Sequence, residues 1–145
     1  MKARKVEGLD PAEPLRSSAA RIVLTRLEEL RSFAPAALEP AATITQHDMR
    51  IAAKRLRYVL EIVGPCFGAE ANAARDAAKR LQSVLGDIHD CDVMLPRTAG
   101  IESLQDLLRT RRELLYRQFT ELWQEVHGMF TRFPCSEANL EGTDE

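Results

Sequence analysis

The stretch His47-Asp48-Met49-Arg50-Ile51-Ala52-Ala53-Lys54-Arg55-Leu56-Arg57-Tyr58 is the most informative part of this chain, because winding it into an α-helix separates its apolar from its charged residues. At about 100° per residue, side chains three and four positions apart share a face. The apolar side comprises Met49, Ala52, Ala53, Leu56, Val59, Leu60 and Val63. An opposite arc about 100° wide, here called the cationic arc, comprises His47, Arg50, Lys54, Arg57, Tyr58 and Glu61. This segregation predicts one face that packs and another that meets a polyanion.

Composition places the chain among ordinary globular domains. Its 145 residues suffice for one domain with a core, and 45% hydrophobic and 29% charged residues are typical values. With 20 Lys and Arg against 22 Asp and Glu, net charge alone indicates neither a nucleic-acid nor a membrane partner. Residues 137–145 carry four acids and no base, so the remainder is mildly basic.

The cysteines and the termini predict a cytoplasmic protein. Cys66, Cys91 and Cys135 are odd in number and match no zinc or redox spacing, which favours a reduced compartment. No long apolar run follows the basic N-terminus, and no stretch approaches the 18 or so apolar residues of a membrane span. We therefore expect neither a secretory signal nor a membrane anchor.

Four amphipathic helices and no strand are predicted, over about residues 15–33, 45–63, 69–88 and 101–133. Pro35 and Pro40 mark the first connection, Gly64-Pro65 the second, and the segment 96–100 the third. A break near Gly128 is an alternative to one continuous last helix. Short connections favour an all-α, antiparallel four-helix bundle over residues 11–133. Residues 1–10 are predicted to be a flexible segment, and residues 134–145 a disordered acidic tail.

Two arginines interrupt apolar faces. Arg26 falls within the apolar arc of the first helix and Arg111 within that of the fourth. A buried guanidinium needs a carboxylate, a route to solvent, or a wet cavity, and Glu61 is a candidate partner. The third helix adds a row of polar residues on one face: Arg75, Lys79, Gln82 and His89. A row of bases on one helix is usually a solvated surface, but basic faces on several helices favour a linear polyanion.

The sequences H-D-M-R-I-A-A-K-R-L-R-Y-V-L-E (47–61) and L-Q-S-V-L-G-D-I-H-D-C-D-V (81–93) resemble the CHAD family, the conserved histidine α-helical domain. The family patterns are H-x-x-R-x-x-x-K-R-L-R-Y-x-x-E and L-Q-x-x-L-G-x-x-x-D-x-x-V. The matching positions are His47, Arg50, Lys54, Arg55, Leu56, Arg57, Tyr58, Glu61, Leu81, Gln82, Leu85, Gly86, Asp90 and Val93.

The resemblance implies a helical bundle that binds inorganic polyphosphate through basic residues, without catalysis, cofactor or metal. It also implies association with polyphosphate granules. The family often accompanies a triphosphate-tunnel enzyme domain, and nothing in this chain indicates such a strand-rich barrel. Family members are often about twice this length, with two helical halves across a basic cleft. This chain corresponds to one half, so we predict a homodimer that rebuilds the cleft.

The residues expected to bind polyphosphate are Arg26, His47, Arg50, Lys54, Arg57, Tyr58, Arg75, Lys79 and Arg111. Arginines suit bidentate phosphate contacts and lysines act as point charges, while a tyrosine hydroxyl donates one hydrogen bond. Glu61 is expected to orient the bases around it, and Arg55 to be peripheral. His47 has two interpretations: a phosphate ligand, which the resemblance favours, or a hydrogen bond to a neighbouring helix.

Two other functions remain open. His47-Asp48, His89-Asp90 and Asp92 superficially suggest a metal-dependent phosphohydrolase of the HD type, although bases crowd His47 and Asp48 projects off its face. The other is a helical adaptor that binds an acidic protein, or a domain that binds RNA. Aromatic residues make up only 6% of the chain, and base stacking needs exposed aromatics. Nearby carboxylates are expected to raise the pKa of Cys91 and leave its thiol inert.

Overall fold

The computed structural model describes residues 1–132, which form four α-helices and, within that range, no strand. The helices are α1 (Leu15–Ala37), α2 (Thr43–Val63), α3 (Ala69–Arg97) and α4 (Glu102–Arg132). A short 3-10 turn, Gly64–Cys66, follows α2. The predicted all-α, four-helix bundle is therefore confirmed.

Two helices are longer than predicted. The helix α1 continues to Ala37 through Pro35, because Ala34 and Ala37 are buried and offset the hydrogen bond lost at one proline in the last turn. The helix α3 continues to Arg97 instead of ending near residue 88, because Cys91 prolongs its buried stripe. The helix α4 passes through Gly128 without a break, since Val126 and Phe130 are buried on either side of it.

Packing follows the order of the chain. The main interfaces are α1 with α2, α2 with α3, and α3 with α4. The helices α2 and α3 are antiparallel, since His47 meets His89 at one end and Arg57 meets Gln82 nearer the other. The largest fully buried apolar side chains include Leu27, Leu30, Met49, Leu56, Leu60, Leu81, Leu85, Ile88, Phe119 and Phe130. Phe119 is fully buried, and Tyr116 and Trp123 are half-buried and pack against the core.

A polar network ties α4 to the connection between α1 and α2. Arg112 donates to both carboxylate oxygens of Asp92 on α3, at 2.5 and 3.3 Å. It also donates to the Gln46 side-chain oxygen at 2.9 Å and to the Pro40 carbonyl at 2.8 Å. The Tyr116 hydroxyl donates to the carbonyl of Leu38. These bonds hold the α1–α2 connection against the last helix.

Residues 1–10 carry no regular secondary structure and contact α1 and α2 through their backbone. Arg26 donates to the carbonyl of Arg4 at 2.8 Å, and Arg55 to that of Met1 at 2.6 Å. The flexibility predicted for this segment stays a prediction. The predicted acidic tail, residues 134–145, lies outside the described residues.

Candidate functional site

A groove of about 350 Å³ runs between α2 and α3 and gathers basic side chains from both helices. Its lining comprises Arg50, Arg57, Lys79, Gln82, Ser83, Gly86, Asp87 and Asp90. The α2 residues of the groove, Arg50 and Arg57, belong to the cationic arc. The apolar residues beside this arc pack inward, so one edge of the arc lies along α3. We call this feature the α2–α3 groove.

Arg50 crosses α3 at the one position that has no side chain. A Cβ atom placed on Gly86 would lie 3.2 Å from Nε of Arg50 and 3.9 Å from its Cδ. The Nε atom is buried and has no hydrogen-bond partner within residues 1–132. A buried donor without an acceptor costs about 1–3 kcal/mol, so this guanidinium is suited to an incoming acceptor.

Arg57 is held in place from two sides. Its Nε donates to Oε1 of Gln82 on α3 at 2.8 Å, and its Nη1 donates to Oε1 of Glu61 at 2.7 Å. Its guanidinium carbon lies 4.4 Å from the centre of the Tyr58 ring, with Lys54 Nζ at 5.7 Å from that centre. The contact expected between Glu61 and the basic residues beside it is therefore present for Arg57.

Two histidines stack beside Arg50. The ring centres of His47 and His89 are 4.1 Å apart, and the planes are inclined by 25°. Nδ1 of His47 is buried without a hydrogen-bond partner in the described part of the chain. Burial lowers the pKa of His47, and the neighbouring His89 and Arg50 lower it further against a smaller opposing effect of Asp48.

Charge in the α2–α3 groove is mixed. Arg50, Arg57 and Lys79 supply three cations, while Asp87 and Asp90 supply two carboxylates. The side chains of Lys54 and Tyr58 are exposed on α2 beside the groove. The site is therefore a cationic surface whose α3 edge carries acids.

Three predicted binding residues lie elsewhere. Arg26 faces the α1–α2 interface, where it and Arg55 both contact the buried carboxylate of Glu29, at 2.6 and 2.9 Å. The prediction that Glu61 is the partner of Arg26 was wrong, because Arg26 pairs with Glu29 while Glu61 contacts Arg57. Arg75 contacts the adjacent Asp76 at 3.3 Å and is not among the groove-lining residues.

The third residue, Arg111, is exposed on α4 next to Cys91 instead of lying on an apolar face. Its neighbour Arg112 takes the interior position, because α4 turns that residue toward Asp92. The pKa of Cys91 is raised as predicted, but burial is the main cause, with Asp92 contributing less and Arg111 acting in the opposite direction.

The sequence interpretation did not assign several groove residues to the site. Gln82, Gly86 and Asp90 belong to the second motif, which could have marked them as neighbours of the first. Asp87 lies one turn after Ser83 and two turns after Lys79, so helical spacing alone places all three on one face.

Neither a metal site nor a membrane helix was found in residues 1–132. No three or more His, Cys, Asp or Glu side chains in that range converge as ligands for a metal ion. None of the four helices combines the length and apolar character that crossing a bilayer requires.

A comparison with family models matches residues 2–99, about two thirds of the chain, to the CHAD domain. The match includes α1, α2, α3 and every residue of the α2–α3 groove, whereas α4 lies beyond it. CHAD domains are associated with polyphosphate binding and with triphosphate tunnel metalloenzyme proteins. No curated protein and no solved structure matched the chain. On the family match, this chain belongs to the CHAD domain family.

Proposed function

We propose that this domain binds inorganic polyphosphate in the α2–α3 groove and does not transform it. The observation that carries the proposal is the convergence of Arg50, Arg57 and Lys79, from two helices, on one groove. The proposal includes association of the domain with polyphosphate granules in the cytoplasm.

The spacing of the bases suits a chain of phosphates. Arg50 and Arg57 are seven residues apart on α2, which corresponds to about 10 Å along the helix axis. Lys79 approaches from α3 on the opposite side of the groove. A linear polyanion lying along the groove would contact all three, and release of its counterions would drive binding.

The hydrogen bonds around Arg57 support a binding role for it. Gln82 and Glu61 fix the guanidinium, so less conformational entropy is lost when a phosphate binds. Because Glu61 is about two-fifths exposed, water screens its charge and the arginine keeps much of its attraction for an anion. Lys54 and Tyr58 extend the cationic surface toward solvent.

The decisive experiment is a polyphosphate titration at several salt concentrations, comparing the wild type with Arg50→Ala/Lys54→Ala/Arg57→Ala. A matched control, Arg31→Ala/Arg109→Ala/Arg117→Ala, removes the same number of charges from exposed positions outside the groove. We expect the groove variant to lose salt-sensitive binding while it keeps its helical circular dichroism. The slope of log Kd against log salt should fall by about 2, at about 0.7 per lost contact.

Four outcomes would contradict the proposal. Equal losses in both triple variants would indicate non-specific attraction, and unchanged binding in the groove variant would place the site elsewhere. Release of orthophosphate on incubation with Mg²⁺ or Mn²⁺ would indicate an enzyme. Tighter binding of RNA or of an acidic peptide of equal charge would favour those partners.

The proposal includes a homodimer, with α2 as the surface that pairs. Ile44 and Ile62 are each 78% exposed and lie five turns apart on one face of α2. Burying these two side chains against a second copy would bring two grooves together. Light scattering at micromolar concentration should give twice the monomer mass, and Ile44→Glu/Ile62→Glu should restore the monomer. A monomeric wild type, with and without polyphosphate, would contradict the dimer.

A further inference from the structure

Two of the chain's three histidines form a stacked pair beside the groove. His47 comes from α2, one turn before Arg50, and His89 comes from α3, next to the groove residue Asp90. The pair therefore closes one end of the surface on which Arg50 and Arg57 lie. No other imidazole occurs near it, since His127 lies on α4 beside the Trp123 carbonyl.

The surroundings of His47 oppose a positive charge in the free protein. The ring is partly buried, and His89 from α3, Arg50 from its own helix and the amino terminus all disfavour its protonation. Among the described residues, Asp48 acts in the opposite direction. Nδ1 of His47 has no hydrogen-bond partner in residues 1–132, so this nitrogen can still form a hydrogen bond.

We infer that the stacked His47–His89 pair is a proton-dependent phosphate subsite, which gains one proton when a polyphosphate group lies beside Arg50. Binding therefore tightens as the pH falls. The inference rests on the proposed function and adds to it a residue, His89, and a regulation by pH.

Electrostatics explains why binding and protonation are coupled. A phosphate beside Arg50 offsets the positive charge that disfavours protonation of His47, and its negative charge favours an imidazolium directly. The gain is limited to one proton, because two positive rings at a centre separation of 4.1 Å repel each other strongly. An imidazolium also has two N–H donors for phosphate oxygens, where a neutral ring has one.

Titration of the three histidine ring signals by NMR, in the free protein and with polyphosphate, tests this in the wild type. In the free protein we expect at least one signal of the pair to titrate below the ordinary value of about 6.5. With polyphosphate, a signal of the pair should move upward by about one pH unit. The signal of His127 is the internal reference and should move less.

Variants extend the test to affinity. For the wild type we expect Kd to fall about fivefold between pH 7.5 and pH 5.5. The tenfold limit of a one-unit rise in pKa is reached only at pH values below both pKa values. The double variant His47→Gln/His89→Gln should lose most of this dependence, and the matched control His127→Gln should keep it. Circular dichroism verifies folding of each variant.

The outcomes separate this inference from the proposed function. Polyphosphate that binds equally well in the double variant, at every pH, would overturn the subsite and leave the groove intact. Pair signals that do not move on saturation with polyphosphate would overturn it as well. Absence of any polyphosphate binding by the wild type would instead overturn the proposed function.

Discussion

Substitution of Gly86 by alanine should separate polyphosphate binding from folding. Residue 86 lies in the middle of α3, and its backbone does not adopt the left-handed conformation that would require glycine. Alanine is favoured over glycine in a helix interior by about 1 kcal/mol. The added Cβ would lie 3.2 Å from Nε of Arg50, and the flexible arginine can yield by a few tenths of an ångström. The free energy of unfolding should therefore stay the same or rise by up to about 1 kcal/mol.

Binding should change in the opposite direction. A hydrogen bond between charged partners contributes about 1.5–3 kcal/mol. A displaced guanidinium retains part of this contact, so we expect a loss of about 1 kcal/mol, equivalent to a roughly fivefold increase in Kd for polyphosphate.

The assay combines urea unfolding, followed by circular dichroism, with polyphosphate titration of Gly86→Ala, Arg50→Ala and the double variant. If the methyl group acts through the arginine, it should have little further effect once Arg50 is alanine. An undiminished affinity of Gly86→Ala would refute the role assigned to this contact. Equal losses in both backgrounds would show that the methyl obstructs the groove directly.

Three further predictions address the charges. Glu29→Gln removes a carboxylate whose residue is 2% exposed and which is shared by two arginines. The free energy of unfolding should therefore fall by about 3 kcal/mol, while the affinity for polyphosphate stays unchanged. An unchanged midpoint of urea unfolding would contradict this prediction. Asp87→Asn/Asp90→Asn removes two negative charges from the groove and should tighten polyphosphate binding, most strongly at low salt. Ser83→Ala, in the same groove, is the uncharged control. Weaker binding in the double variant would instead indicate that these acids take part in contacting polyphosphate. The pKa of His47 is lowered in the folded state, so between that pKa and about 6.5 the unfolded chain binds more protons than the folded one. The free energy of unfolding should therefore fall as the pH falls through this range. In urea titrations from pH 8 to pH 5, the free energy of unfolding should depend less steeply on pH for His47→Gln than for the wild type, and an equal dependence would contradict the assignment.

Local spacing predicted the helices well and their ends less well. The end of α2 at Gly64-Pro65 was predicted because a consecutive glycine and proline are a local signal for the end of a helix. The extension of α3 beyond Ile88 was not, because His89, Asp90 and Asp92 look like a polar terminus in isolation. Burial of Cys91 inside the fold outweighs that local preference.

Only part of the candidate site was predicted from the sequence, because here too tertiary packing outweighs local spacing. The cationic arc grouped Arg50 and Arg57 on one side of α2, and the row on α3 included Lys79, but only the structure places Lys79 across the groove from them. Arg111 was predicted to lie on the apolar face of its helix, but the next residue takes that place. Consecutive side chains on a helix point about 100° apart, and only the packing of α4 decides which of the two faces the core. The neighbour of Arg111, Arg112, is the residue that contacts Asp92.

The sequence alone determined that this chain forms amphipathic helices with a cationic arc on the second, since helical period and spacing are properties of consecutive residues. Tertiary structure alone decided which cations are free for a ligand. Glu29 contacts Arg26 and Arg55, whereas Arg50 lies over Gly86 with an unsatisfied Nε. Ion pairs and grooves depend on distances between helices, and those distances follow from how the buried faces pack together.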